Sequence, residues 1–298
     1  MNYTINQLVV YCKIVETVSI TKAAEELFMS QPAVSIQLKN FQEQFPLPLT
    51  ELIGRNIQIT EFGYEIAHIA ERALNELDNL KLKTSEYQGL ISGRLRIGSA
   101  STGKYVIPSF LSNFLEINHG IDLILDVGNR TQVLESLKLG KIDFAVISML
   151  PNEKIYQEEI LLENRLYMVG TPDNFEKEMP IILREEGSAT RWMMEKYFLE
   201  IHPEKRKKLE LTSNEAVKQA VVAGIGHSII SLISMKYELE NGSIKIIQRP
   251  DLPINNHWRL IWLKEKKFSP SAKAYLDYIK TNKENIINNS FSWYQKYT

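Results

Sequence analysis

The sequence has a single cysteine, Cys12, in 298 residues. That excludes an internal disulfide framework and suits a reducing compartment. There is no charged leader followed by a short apolar core, so secretion is not expected. No apolar run approaches the roughly 20 residues that cross a bilayer, so no membrane partner is expected. Metal-ligand spacing is missing too: His68, His119, His202, His227 and His257 are scattered. Gly187-Ser188-Ala189 lacks the second glycine of a nucleophile elbow. Gly224-Ile225-Gly226 lacks the third glycine of a dinucleotide loop and follows a helical pattern, which leaves His227 as a satisfied local histidine. Neither an enzyme nor a cofactor is expected. Excess charge of one sign is also absent, the formal net charge being −1. The first 60 residues carry four basic side chains against five acidic ones. Affinity for nucleic acid leans on phosphate neutralisation, so one copy would bind weakly and two or more would be needed on a site.

What is present begins with residues 20–45, ITKAAEELFMSQPAVSIQLKNFQEQF. Two short helical patterns flank a tight break. Ala23, Ala24 and Leu27 share one face of the first, and Val34, Leu38 and Phe41 recur at helical spacing on the second. Ser30 is placed to cap the second helix, and Pro32 falls in its first turn, where a missing N–H costs nothing. The remaining face carries Gln31, Ala33, Ser35, Ile36, Gln37, Lys39 and Asn40. It is rich in donors and acceptors and poor in acids, as a recognition helix needs. A helical hairpin that only packs fits the same pattern.

The stretch SITKAAEELFMSQPAVSIQLKNFQEQF closely resembles the N-terminal signature of LysR-type transcriptional regulators, and the likeness continues through Arg55 and ITEFG at 59–63. Three departures stand out. Ile36 replaces a residue often polar or basic, FPLPL at 45–49 replaces the usual Leu-Gly, and Thr50 and Leu52 replace Phe and Arg. The resemblance implies double-stranded DNA as partner. Gln31, Pro32, Ala33, Ser35 and Ile36 would face the major groove, Ser30 and Lys39 would lie nearer the backbone, and Arg55 would work from a wing turning at Gly54.

Helix 3–18 is expected to bury Leu8, Cys12 and Val15, with Tyr11 and Val18 nearby on the same side. A long helix follows from Thr60 to about Tyr87. Its Ile66, Ala70, Ala73, Leu77 and Leu80 are spaced as an a/d seam, which implies a second copy. Packing on its own chain is the competing reading. GLISG at 89–93 reads as a linker. Beyond it, short β-branched runs alternate with helical patterns, which implies α/β architecture with mostly parallel sheets. LRIGSASTGKYVIPSFLSNF, LKLGKIDFAVIS and AVVAGIGHSIIS resemble the LysR-type effector domain, whose fold is like that of periplasmic binding proteins.

The expected architecture is thus α/β: a winged helix-turn-helix (1–60), a linker and dimerisation helix (61–90) and a two-lobed effector domain (91–298). Lobe I would hold about 91–165 plus 266–298, and lobe II about 166–265. The tail at 288–298 has no assigned role. Ligands of such folds sit outside the carboxyl ends of strands. Short polar residues cluster there: Ser99, Ser101 and Thr102 after one strand, Asn129 and Thr131 after the next, and Ser188, Thr190 and Arg191 after a third. Each also suits a helix N-cap. Together they describe a cleft for a small anionic effector, with Arg191 either supplying charge or pairing with Glu185, Glu186 or Glu195. REEGSATR resembles the segment in regulators of carbon-fixation and sulfur-assimilation genes.

The function expected is a cytoplasmic DNA-binding regulator that forms a homodimer or homotetramer and responds to that anion. RNA polymerase is a further candidate partner. The alternative is a cytosolic solute-binding module or small-anion enzyme on the same two-lobed fold.

Overall fold

The computed structural model describes residues 2–53, 56–87, 91–201 and 205–297. The chain divides into two compact units, Met1–Gly89 with Leu139–Lys141, and Leu90–Lys138 with Ile142–Thr298.

The first unit opens with α1 (Ile5–Thr17). Thr4 accepts from the Gln7 backbone while the Gln7 side chain accepts from Thr4, so two otherwise unpaired N–H groups are satisfied. Helices α2 (Ile20–Glu26) and α3 (Gln31–Gln42) follow. A two-stranded antiparallel wing, β1 (Thr50–Ile53) and β2 (Asn56–Ile59), leads into α4 (Glu61–Tyr87). The buried face of α1 is Gln7, Val10, Tyr11 and Ile14. Of the residues expected on or near its core side, Tyr11 is buried, Leu8, Cys12 and Val15 are only half-buried, and Val18 is exposed. The rotation is set by Tyr11, whose hydroxyl donates to the Gly63 carbonyl at 2.8 Å and whose ring meets Phe41 at 5.0 Å. Gly63 permits this closeness: a Cβ there would lie 2.1 Å from the Leu49 carbonyl oxygen. Burial pushes the Cys12 thiol up to about 12, so it is a neutral packing group.

The apolar pattern of α4 divides differently from expectation. Ile66 packs on the core of its own unit, and Ala67 and Ala70 are buried by their own chain. The first half of the proposed seam is therefore already covered. Ala73 and Leu77 stay half-buried, while Tyr64 and Ile69 are exposed. The side chain of Leu80 lies outside the described residues.

The second unit starts with β3 (Ser92–Ala100), α5 (Ile107–Ile117), β4 (Gly120–Gly128), α6 (Arg130–Lys138) and β5 (Phe144–Ile147). The long β6 (Tyr156–Gly170) precedes β7 (Ile181–Arg184), α7 (Ala189–Lys196), β8 (Lys208–Leu211) and α8 (Asn214–Val222). Then come β9 (Ser228–Ser231), α9 (Lys236–Glu240), β10 (Lys245–Ile246), β11 (Ile254–Leu263) and α10 (Pro270–Ser290). The main sheet runs β10-β6-β11-β5-β3-β4, with β9 also on β6, and β7 pairs β8 separately.

Pairing is parallel for β3 with β4 and β5 and for β7 with β8. It is antiparallel for β6 with β9, β10 and β11, and for β11 with β5. The expected mostly parallel sheet is thus a mixed one. Strands β6 and β11 carry the chain outward and back between the lobes, and a return path beside an outward path must be antiparallel. The aromatic tail is part of the core: Phe291, Trp293 and Tyr294 are buried. Tyr167 also donates to the Tyr297 carbonyl. No helix among the described residues is long and apolar enough to cross a membrane.

Candidate functional site

Two regions collect the polar residues that packing leaves over. The first is the outer face of α3. Ser30 caps it by accepting from the Ala33 N–H, and Pro32 sits in the first turn. Val34, Leu38 and Phe41 turn inward onto Val10, Tyr11, Ile14, Ala23 and Ala24. That fixes the opposite face. Gln31, Pro32, Ile36, Lys39 and Asn40 are exposed, and Ala33, Ser35 and Gln37 are half-exposed. Ile36, at 56 % exposure, puts an apolar group on a polar face, a match for a thymine methyl. Lys39 is loosely paired with Glu43 at 3.8 Å, and both are well exposed, so its charge stays available to a phosphate. Arg55 lies outside the described residues.

The second region is where β3, β4, β5 and β7 end. It is a narrow cleft lined by Ser101 and Thr102 after β3, Asn129 and Arg130 after β4, Ser148 after β5 and Ser188 and Thr190 after β7. Arg184, the last residue of β7, and Trp258 on β11 complete it. The free space among these groups is about 20 Å³, room for about one water. Gly187, at φ +82°, lets the β7–α7 turn come close to α6: a Cβ there would sit 3.0 Å from Thr131 Oγ1.

Five of the eight residues named from sequence line this cleft: Ser101, Thr102, Asn129, Ser188 and Thr190. Ser99 is fully buried behind it and donates to the Ala100 carbonyl. Thr131 borders the Gly187 turn. Arg191 does not line the cleft; it pairs with Glu195 at 2.8 Å and Glu210 at 2.5 Å, and donates to the Arg184 carbonyl. Capping and lining coincide here. Asn129 exchanges bonds with Gln132 at the start of α6, and Ser188 accepts from the Arg191 N–H.

The electrostatics favour an anion. Burial pushes the Arg130 guanidinium below its ordinary value, and its Nε donates to the Met149 carbonyl at 3.0 Å. Arg184 is 4 % exposed and forks onto Glu185 at 2.7 Å. Two buried donors lack partners: the Trp258 indole N–H and the amide nitrogen of Asn214. Asn214 accepts from the Thr102 hydroxyl at 3.3 Å. Buried unpaired donors are costly and call for an acceptor. Sequence reasoning missed Arg184, Ser148 and Trp258. A charged residue directly after the PIIL run was the available signal for Arg184. Among the described residues there is no cluster able to hold a metal. His227 is fully buried, with Asn174 and Arg206 on its two ring nitrogens.

A winged helix-turn-helix on one unit and a polar, donor-rich cleft on a two-lobed second unit define a ligand-responsive DNA-binding regulator. Residues 5–64 match the family described as "Bacterial regulatory helix-turn-helix protein, lysR family", and residues 88–284 match "LysR substrate binding domain". The chain belongs to the LysR family of transcriptional regulators. It is 36 % identical to the HTH-type transcriptional activator CmpR of Synechocystis sp., over 96 % of this chain and 97 % of that protein. It is 32 % identical to the RuBisCO operon transcriptional regulator of Allochromatium vinosum, over 94 % and 96 %. The regulatory domain of Synechocystis CcmR, solved in complex with 2-PG, matches with a TM-score of 0.61 at 29 % identity, covering 65 % of this chain and 99 % of that one. The family and the relatives' names are those of transcriptional regulators, not of enzymes.

One contact near the cleft generates a pH prediction. Tyr105, in the turn after β3, donates to Glu215 on α8 at 2.6 Å. Burial and this partner push the tyrosine up to about 12. Burial alone would raise the Glu215 carboxyl, but bonds from Tyr105, Gln219 and Lys218 outweigh it and hold the carboxyl below its ordinary range. A depressed carboxyl contributes stability above its unfolded value and loses it as pH falls through the folded value. Glu215 is 43 % exposed, so Tyr105→Phe should cost only about 1 kcal/mol at neutral pH. Thermal melts should show that gap at pH 7 and its disappearance in acid below the carboxylate range.

Proposed function

We propose that this regulator reads duplex DNA with α3 and its wing as a dimer, and that a small anion bound in the cleft between the lobes sets its activity. We adopt 1–60, 61–90 and 91–298 as its DNA-binding, linker and effector segments. Ser101, Thr102, Asn129, Ser188 and Thr190 would contact the effector, with Arg184 and Arg130 supplying positive charge. Arg191 would act indirectly, by holding the Arg184 carbonyl. The observation that carries this reading is the unpartnered buried indole N–H of Trp258 in the cleft wall, beside the buried Arg184 and the half-buried Arg130. The CcmR regulatory domain solved with 2-PG supports the same ligand class, and the relatives' names support carbon-fixation genes as targets. Such a protein would act in the cytoplasm, on chromosomal DNA and beside RNA polymerase.

The effector reading is tested by calorimetry with 2-PG on the full chain. Wild type should bind saturably. Arg184→Gln and Thr102→Val should each weaken binding at least tenfold, the loss of a charged or buried hydrogen bond being about 1.5–3 kcal/mol. Undiminished affinity in both variants overturns the site.

For DNA, Gln31→Ala and Ser35→Ala should each cost about 1–3 kcal/mol on the operator and relax base preference at one position. Lys39→Ala should weaken all sequences alike and flatten the salt slope. A gel shift across operator variants separates these outcomes, and unchanged binding by the first two would misplace α3.

For assembly, the exposed Ile69 and half-buried Ala73 and Leu77 on α4 support a two-fold contact, and pairing of effector domains would extend it to a tetramer. Near-neutral charge over the first 60 residues makes a single copy a weak binder. Leu77→Asp should lower the sedimenting mass and the DNA affinity together. A variant that keeps the wild-type mass removes α4 as the dimer contact.

A further inference from the structure

A second cavity of about 490 Å³ opens beside the cleft. Its size is in the range of small-molecule sites. Met149, Leu150, Met193, Tyr197 and Ile254 give it apolar walls, and Trp192 stands on its rim at 51 % exposure. An indole left half-open to solvent at the mouth of an apolar cavity is a stacking platform without a stacked ring. Lys196 Nζ lies 5.5 Å from the centre of that indole. A flat ring laid on Trp192 would therefore carry a substituent toward an ammonium. Deeper in, Asn256 points its amide N–H at the Met193 sulfur, 2.9 Å away. A thioether is a weak acceptor, and a ligand oxygen would replace it with a gain. Asp251 lines the same cavity and disfavours an occupant of high negative charge.

We propose that this cavity is a second ligand site, separate from the anion cleft, for a planar aromatic monocarboxylate of one or two fused rings. The ring would stack on Trp192 among the two methionines and Leu150, and the carboxylate would reach Lys196. The narrow cleft takes no such ring, because its lining is polar and its free space holds about one water. Asp251 in the lining disfavours polyanionic nucleotides.

The two sites share a wall. Ser148 borders both. On the cleft side Arg130 Nε donates to the Met149 carbonyl, and on the cavity side Arg259 Nη1 donates to the Ser148 carbonyl at 3.3 Å. Asn256 also continues inward: it accepts from Asn164 at 2.7 Å, its partner across β11 and β6, and Asn164 accepts from Ser231. An occupant that takes the Asn256 N–H thus touches a buried chain of bonds running across the strands that join the lobes. Coupling through such a wall must be reciprocal.

The test titrates naphthalene-2-carboxylate into the full chain by calorimetry. Saturable binding is expected, weakened at least tenfold by Trp192→Ala and by Lys196→Glu. Leu150→Trp, which fills the cavity from a partly exposed position, should abolish it, while Arg184→Gln in the cleft should leave it unchanged. No saturable binding up to millimolar probe overturns the proposal, as does equal affinity in wild type and all three cavity variants. Loss with Arg184→Gln and not with Trp192→Ala would put the probe in the cleft and overturn it equally. A second titration with saturating 2-PG present should shift the probe's dissociation constant at least threefold, and an unchanged constant would remove the coupling. That arm alone rests on the anion reading of the cleft: if 2-PG fails to bind, that reading falls and the first titration still decides this one.

Discussion

The pairing of β6 with β11 is the constraint on which the effector domain depends. The register runs from Ile254 opposite Leu166 to Leu263 opposite Tyr156, with one irregularity between Trp258 and Arg259. Leu161, Leu162, Leu166, Trp258, Leu260 and Ile261 are buried along it. Two strands hydrogen-bonded over that length behave as one plate, and a slip of one residue would turn every side chain to the wrong face. The cleft and its neighbouring cavity both meet this plate, the first at Trp258 and the second at Arg259 and Asn256. The position of the functional groups is thus inherited from a backbone ladder. The groups themselves only need to be polar, short and at a strand end.

That division explains what the sequence disclosed. The interior face of α3 follows from Val34, Leu38 and Phe41 at helical spacing, so its outer face was readable by subtraction. Ser30 and Pro32 marked the helix start because capping is a local matter, settled within three residues. The cleft residues at 101–102, 129 and 188–190 were readable for the same reason, since N-caps and ligand turns draw on one residue vocabulary. Long-range choices were hidden. Nothing local says that Tyr11 finds Gly63, 52 residues away, so the sequence puts Tyr11 only at the edge of the core face that it in fact centres. The i,i+4 pair of Arg191 with Glu195 was legible, but the second partner, Glu210, comes from β8, a short alternating strand that gave too weak a signal. Arg191, engaged on two carboxylates, does not line the cleft; Arg130 and Arg184 do, and the direction of Arg184 depends on the closure of β7 against β8.

The near-neutral charge of the first 60 residues bears on the same logic of shared work. A regulator with few phosphate contacts per copy depends on having its copies correctly spaced. Its affinity is then sensitive to geometry in a way that a strongly basic domain's would not be. In the proposed dimer, weak single-copy binding would make control by a distant ligand effective, because a small change of spacing would remove one of the two contacts altogether.

The size of the cleft sets how a ligand can exert that control. With about 20 Å³ free, the arrangement seen is a closed one, held by Thr102 on Asn214 and Tyr105 on Glu215. An anion larger than one water must enter a more open form and be enclosed afterwards. It shifts the balance between forms only by the difference in its affinity for them. Moving a two-state balance from mostly one form to mostly the other takes about 5.5 kcal/mol of such difference. A few hydroxyls cannot supply that. On the proposed effector reading, the rest would come from charge-assisted bonds to Arg184 and Arg130 and from the unpartnered Trp258 indole N–H. On that proposed reading, an unpaired buried donor biases the switch, because it disfavours the closed form until a ligand oxygen arrives.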